Sequence, residues 1–137
     1  MTAGLRLLRP RIGRPWAGGV YAGHILGHDL VVGPSRPINT DWPTAMSWAG
    51  SLVERGYSDF TLPTLAELVV LVGQFPHLFR PEPYWSRDEA PAPAALSDAM
   101  VYHVYIQQAV HWGKIYDCAA IAVRRLSNIN VDRRRSA

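Results

Sequence analysis

The start of a helix can be read directly from one stretch of this sequence, and it limits what the rest of the chain can form. Thr64 is a good N-cap residue and Glu67 follows it at the third helical position, which is the capping-box pattern. The apolar residues after the cap recur at helical spacing and are Leu65, Leu68, Val69 and Val72. One face of this helix therefore has to pack on another element. We expect the helix to span residues 65 to 72 and to end at Gly73.

The length and the cysteine content place the chain among single-domain proteins. Its 137 residues are enough for one domain with its own core. Cys118 is the only cysteine and lies in the apolar run of residues 118 to 123, which predicts a buried, unreactive thiol. No apolar run approaches the roughly 18 residues that a membrane-spanning helix needs, and arginines interrupt the N-terminus. We expect a soluble chain with no signal peptide and no membrane partner.

Charge is distributed unevenly along the sequence. Residues 1 to 14 carry +4, residues 15 to 123 carry −5 and residues 124 to 137 carry +4, within a net charge of +3. A nucleic-acid-binding domain would hold its basic residues on a folded surface, so we predict no specific nucleic-acid partner. The expected division is a basic N-terminal arm, a folded domain and a basic C-terminal tail: residues 1–16, 17–126 and 127–137. The basic ends either dock on an acidic surface, which would include that of a second copy, or are disordered.

Periodicity and turn residues predict the remaining elements. Residues 18 to 32 carry strand formers on both sides of Gly27-His28-Asp29, which predicts a hairpin. Asp41 is a suitable N-cap for another helix over residues 42 to 55, and we expect residues 34 to 40 to form a loop. The later segments expected as strands are residues 84–86, 99–106, 110–116 and 118–126. Two helices between groups of strands favour an α+β fold with antiparallel pairing.

An ordered series of motifs resembles a known family. The motifs are Gly56 to Leu68, Tyr84-Trp85-Ser86 and Ala122 to Leu126. This series is similar to the Lcl C-terminal-domain family of bacterial and phage proteins, whose pattern contains Leu-Pro-Thr-x-x-Glu-Leu, then Tyr-Trp-Ser-Ser, then a final Val-Arg. The chain departs from that pattern at Phe60, Thr61 and Arg87, where the family has Trp, Arg and a second Ser. The resemblance implies a C-type-lectin-like fold, with antiparallel sheets, two helices and long loops that present a ligand face.

The same resemblance implies a binding function without catalysis. It points to a non-enzymatic binding module, a phage or bacterial surface or virion-associated structural protein such as a tail or receptor-recognition component. Its partners would be a protein or glycan ligand and other virion proteins, with homo-oligomer formation as a further option. It would reside in the virion, or in the bacterial cytoplasm before assembly.

The alternative is a diverged enzyme related to the formylglycine-generating sulfatase modifiers. Those enzymes use a pair of active-site cysteines, whereas this chain has only Cys118. The sequence also shows no nucleophile with an adjacent base and no glycine-rich phosphate loop. We therefore predict that the protein is not an enzyme.

Aromatic and basic residues of the C-terminal half are the candidates for ligand contact. Trp112 is flanked by His111, Gly113 and Lys114, which are the surroundings of an exposed anchor, although a tryptophan that fills the core under a loop is the alternative. The candidate ligand-binding residues are Arg87, Tyr102, His103, Tyr105, His111, Trp112 and Lys114.

Metal ligation has weaker support in the sequence. The five histidines show no metal-binding spacing. Glu82, Asp88 and Glu89 lie in a segment where a lectin-like fold could hold calcium, but the sugar-binding signatures of C-type lectins are absent. We predict no metal and no cofactor.

Overall fold

The computed structural model of the protein describes residues 9 to 126, except for the side chains of residues 36 to 38. The helices of this part are α1 (Trp42–Ser51) and α2 (Leu65–Gln74), with 3₁₀ turns at Pro76–Leu78 and Ala94–Leu96. Its strands are β1 (Pro15–Trp16), β2 (Gly19–Ile25), β3 (His28–Thr40), β4 (Pro83–Glu89), β5 (Asp98–His103), β6 (Gln108–Gly113) and β7 (Cys118–Leu126). The strands form one mixed sheet in the order β1-β2-β3-β7-β4-β5-β6. The predicted α+β class is confirmed, and neither helix is long and apolar enough to cross a membrane.

Strand β7 lies at the centre of this sheet and is buried on both faces. It pairs antiparallel with β3 and parallel with β4. Alternate residues contribute to two core clusters, one containing α2 and one containing α1. On the α2 side they are Ala119, Ile121 and Val123, and on the α1 side Cys118, Ala120 and Ala122. A strand covered on both faces reads as a continuous apolar run, which explains the sequence of residues 118 to 123.

The capping box at the start of α2 is confirmed. The Glu67 backbone N–H donates to Thr64 Oγ1 at 3.1 Å, and the Thr64 backbone N–H donates to Glu67 Oε1 at 2.9 Å. Just before the cap, Thr61 exchanges both of its backbone hydrogen bonds with Val123 of β7, at 2.9 and 2.8 Å. The motif thus fixes the beginning of α2 beside the central strand. The helix extends one residue beyond Gly73.

Helix α1 begins as predicted and ends earlier. Asp41 Oδ1 accepts from the Thr44 backbone N–H at 3.0 Å, and this hydrogen bonding lowers the pKa of Asp41. The helix ends at Ser51 instead of residue 55. Val53, which falls within the predicted span of the helix, lies beyond its observed end and is 63% exposed.

The predicted hairpin is confirmed as β2 and β3, with a tighter turn. Leu26 and Gly27 form the turn with φ of 53° and 92°, a pair of positive values that suits a two-residue hairpin. The loop expected over residues 34 to 40 is wrong, since β3 continues to Thr40. Its pairing with β7 shifts register twice, after Val32 and again before Thr40. Bulges of this kind accommodate prolines, which cannot donate to a ladder.

The basic ends are partly integrated into the sheet. The Gly13 N–H donates to the Tyr21 carbonyl at 2.8 Å, and the Tyr21 N–H donates to the Arg14 carbonyl at 2.9 Å. The ordered contacts therefore begin before residue 17, the predicted boundary. Arg124 and Arg125, which were counted with the basic C-terminal end, belong to β7. The rest of the predicted arm and tail lies outside the described residues.

Candidate functional site

Glu67 is a buried carboxylate with several charged partners. It is 1% exposed and accepts from Arg125 at both oxygens, with Nε at 2.7 Å and Nη2 at 2.6 Å. His28 Nε2 lies 2.9 Å from Glu67 Oε2. Burial opposes ionisation of Glu67, but the bonds from Arg125, from the Thr64 N–H and from His28 outweigh it and lower its pKa. These contacts join α2, β7 and the β2–β3 hairpin, so their role is structural.

Asp29 is a second buried carboxylate, also 1% exposed. Its oxygens lie 2.8 Å from Arg9 Nε, 2.8 Å from the Tyr21 hydroxyl and 3.4 Å from His24 Nδ1. Burial, together with the hydrogen bond to Asp29, raises the pKa of Tyr21 to about 12. Asp29 therefore holds the segment before β1 against the β2–β3 hairpin.

Arg124 is buried on the face opposite Arg125. Its guanidinium pairs with Asp59, donates from Nη1 to the Ala17 carbonyl at 2.6 Å, and lies 4.0 Å from the ring centre of Tyr57. Both arginines of the final motif are thus engaged inside the domain. Their charges stabilise the fold instead of facing a ligand.

An open depression lies at the end of the β5–β6 hairpin and has a volume of about 560 Å³. We call it the Tyr116 depression, and its lining residues are Asp98, His111, Trp112, Gly113, Tyr116 and Asp117. Tyr116 is 61% exposed. Two carbon atoms of its ring, Cδ2 and Cε2, lie 3.0 Å from the position that a β-carbon on residue 113 would occupy. Replacement of this glycine would displace the ring. The missing side chain of Gly113 therefore leaves room for the Tyr116 ring, which forms an aromatic wall of the depression.

An acid–imidazole pair forms the polar side of the Tyr116 depression. His111 Nδ1 lies 2.7 Å from Asp98 Oδ2, and the Ser97 hydroxyl donates to Asp98 Oδ1 at 2.9 Å. The contact with His111, followed by that with Ser97, lowers the pKa of Asp98. The Ser97 hydroxyl bonds to the acid and not to the imidazole, so the pair lacks the nucleophile–base contact of a hydrolase.

Burial raises the pKa of the Cys118 thiol to about 12, which keeps it protonated.

Three of the predicted ligand-binding residues face inward. Tyr102 is only 9% exposed and packs in the core cluster around α2, so we correct its assignment to the ligand face. Trp112 is half-buried against the cluster around α1, and its ring centre lies 6.1 Å from that of His103. The buried His103 Nδ1 has no hydrogen-bond partner in the described part of the chain. Of the two interpretations of Trp112, the structure favours core packing, and the exposed aromatic ring of the depression is that of Tyr116.

The remaining predicted residues are scattered. Lys114 Nζ lies 2.6 Å from Glu89 Oε2 and 4.6 Å from the ring centre of Trp42, so its charge is already used within the domain. Arg87 is exposed on β4, and Tyr105 is exposed in the turn between β5 and β6. Only His111 and Trp112 of the predicted set line the Tyr116 depression.

The acids considered for calcium have other partners. Asp88 Oδ2 accepts from the Leu65 backbone N–H at 2.8 Å, at the start of α2. Glu89 pairs with Lys114, and Glu82 pairs with the arginine two residues before it. Between residues 9 and 126, no group of three His, Cys, Asp or Glu side chains is arranged to hold a metal ion.

No protein-family model matches the sequence, and no curated protein matches it at a significant level. The resemblance to the Lcl C-terminal-domain family therefore rests on the motifs alone and stays a prediction.

Proposed function

We propose that this protein is a non-enzymatic binding module whose ligand face is the Tyr116 depression. The observation that carries the proposal is the exposed Tyr116 ring in a depression that the Asp98–His111 pair and Asp117 also line. Binding sites commonly combine an apolar or aromatic surface with a few polar groups that fix orientation. A shallow site of this type suits recognition of a surface more than enclosure of a reacting molecule.

The chemistry of the lining favours a glycan over a protein ligand. Asp98 and Asp117 supply carboxylate oxygens, which accept hydrogen bonds from hydroxyl groups. The exposed face of Tyr116 offers a flat apolar surface for the C–H face of a sugar ring. Lys114, the nearest lysine, is paired with Glu89, so the depression offers little unpaired positive charge to an anionic ligand. A neutral, hydroxyl-rich glycan fits this set best.

The biological setting follows from the series of motifs. The resemblance of residues 56 to 68, 84 to 86 and 122 to 126 to a family of bacterial and phage proteins supports a surface or virion-associated role. A tail or receptor-recognition component of a phage particle would meet bacterial surface glycans, and a lectin-like fold would present the ligand face. An enzymatic role of the formylglycine-generating kind has less support, because Cys118 is buried and Ser97 does not contact His111.

The proposal is tested by glycan binding of matched variants of the full chain. The probe is an array of bacterial surface polysaccharides, with affinities for bound members then measured in solution. Tyr116→Ala should weaken binding by at least about tenfold, as expected for an aromatic anchor. Leu26→Ala removes an equally exposed apolar side chain at the distant hairpin turn and should leave binding unchanged.

Two outcomes would reject the proposal. The first is that no polysaccharide binds, and the second is that Tyr116→Ala binds as tightly as the unmodified chain. Mass analysis of the glycans after incubation addresses the enzymatic alternative, since cleaved or modified products would indicate turnover.

A further inference from the structure

Strand β6 forms one edge of the sheet, and the carbonyl of its last residue, Gly113, already accepts from the Tyr116 N–H at 3.0 Å. The Lys114 N–H donates to the Ser97 carbonyl at 2.8 Å, beside the opposed residues Asp98 and Gly113. Because hydrogen-bonded and non-hydrogen-bonded positions alternate in an antiparallel pair, this bond fixes which way each residue of β6 points. The residues bonded to β5 are Gln108, Val110 and Trp112. The residues whose N–H and C=O point away from β5 are Ala109, His111 and Gly113.

This outer edge lacks the usual protection. Natural edge strands are blunted by proline, lysine, a bulge or short length. β6 has six residues, contains neither proline nor lysine, and pairs with β5 without a register shift. In the described part of the chain no strand pairs with its outer side. The opposite edge, β1, is only two residues long.

Exposed apolar side chains are concentrated at the two ends of β6. Tyr105 and Ile106 precede the strand and are 74% and 48% exposed. Ile115 and Tyr116 follow it and are 82% and 61% exposed. Exposed large apolar groups that cluster in this way mark interaction surfaces. Because both ends of the same strand carry them, an antiparallel partner with the same sequence would match each end with the other.

We propose that β6 pairs antiparallel with β6 of a second copy of this chain, about a two-fold axis at His111. The pairing uses the N–H and C=O of His111, the Ala109 carbonyl and the Gly113 N–H, and it joins the two sheets into one. Ala109 lies beside Gly113 of the second copy, where the small Ala109 side chain meets the Tyr116 ring that covers this glycine. The exposed apolar residues that precede β6 in one copy lie at the same end of the pairing as those that follow β6 in the other copy. Such a self-complementary patch is the hallmark of a two-fold dimer.

Charge at the axis is balanced. The two His111 side chains approach one another there, and like charges directly opposite would destabilise the pairing. Each imidazole has its own Asp98 carboxylate at 2.7 Å, so each copy brings one acid and one imidazole to the axis. An extended peptide of another protein would gain the backbone bonds but not this two-fold match of apolar ends and charges.

The test is the mass of the full chain in solution by light scattering and sedimentation equilibrium. The chain should have twice the mass of one copy, at both low and high salt. Ala109→Lys places a charge on the outer edge without touching the bonds to β5. Because the substitution occurs twice in the dimer, it should raise the dissociation constant by at least about tenfold. Val53→Lys, at an exposed apolar residue far along the chain, is the matched control and should remain dimeric.

A pair of proline variants tests the direction of the backbone groups. Ala109→Pro replaces an outward N–H with the proline ring, which blocks the approach of the second strand, and should give a folded monomer. Val110→Pro removes an N–H bonded to β5 and should unfold the hairpin, which circular dichroism would detect.

Three results would overturn the inference. If the chain is monomeric at all concentrations, β6 does not pair with a second copy, and an extended segment of another protein becomes the candidate partner of this edge. Dimers of Ala109→Lys that survive dilution would place the contact elsewhere. Dissociation of the unmodified dimer by salt alone would assign assembly to the arginine-rich ends. None of these results rejects the glycan proposal, because residues of one copy line the Tyr116 depression and Ala109 is not among them.

Discussion

Replacement of Glu67 by glutamine should destabilise the protein strongly although it barely changes the shape of the side chain. The amide oxygen of Glu67→Gln can still accept from the Thr64 N–H, so the helix cap is kept. The substitution removes the negative charge that faces both Arg125 and His28. Arg125, whose side chain is 21% exposed, is then left without its counter-charge.

The size of the loss follows from burial. Removal of one partner of a buried ion pair costs about 3–5 kcal/mol, and water reaches Arg125 in part, so we expect about 3 kcal/mol. That is a large share of the roughly 5–15 kcal/mol of a typical domain. Chemical denaturation measures it from the shift in midpoint at constant slope. Glu82→Gln, which breaks the ion pair of Glu82 with the 64% exposed Arg80 side chain, is the control and should cost less than about 1 kcal/mol. Equal losses in the two variants would refute the role of Glu67.

The pH dependence gives an independent check. The folded pKa of Glu67 is lowered below its ordinary value of 4.5, so its ionisation stabilises the fold above that pH. This stabilisation disappears as the pH falls through the folded pKa. The stability curves of Glu67→Gln and the unmodified chain should therefore converge in acid. Curves that remain parallel down to the lowest pH at which both fold would contradict the assignment.

Three further expectations follow from the same structure. Thr64→Ala removes the side-chain half of the capping box and should lower the unfolding free energy by about 1 kcal/mol, so a thermal melt that superimposes on that of the unmodified chain would contradict it. Cys118 should react with a thiol reagent only after unfolding, because burial raises its pKa to about 12, and rapid labelling of the native protein would show otherwise. Arg9→Ala leaves the buried Asp29 without its arginine and should cost about 2 kcal/mol in a urea titration, whereas a neutral result would mean that the segment before β1 does not stabilise the fold.

Local patterns in the sequence predicted the local structure well. The cap at Thr64 and Glu67 involves residues three apart, and the bounds of β7 follow from an apolar run that only a doubly covered strand explains. In each case the deciding interaction is carried by neighbouring residues or by simple burial.

Interactions between distant residues could not be predicted in the same way. Arg124 and Arg125 counted as part of a basic end, but their partners Asp59 and Glu67 are 65 and 58 residues away. The sequence leaves two interpretations of Trp112 open, an exposed anchor and a core residue, because nothing in it shows that the side chain turns toward the α1 cluster. The exposure of Tyr116 has one local signal, namely Gly113 three residues earlier, whose missing side chain leaves room for the ring.

The central position of β7 has a consequence for the order in which the protein is made. β7 separates β1–β3 from β4–β6 in the sheet, and it follows all six of those strands in the chain. On the ribosome, the two halves of the sheet therefore remain unjoined until residues 118 to 126 have left the exit tunnel. Sheets that depend on such distant pairings fold slowly, and unpaired strand edges invite aggregation meanwhile. During synthesis, β3 and β4 are thus the surfaces that a chaperone would have to shield.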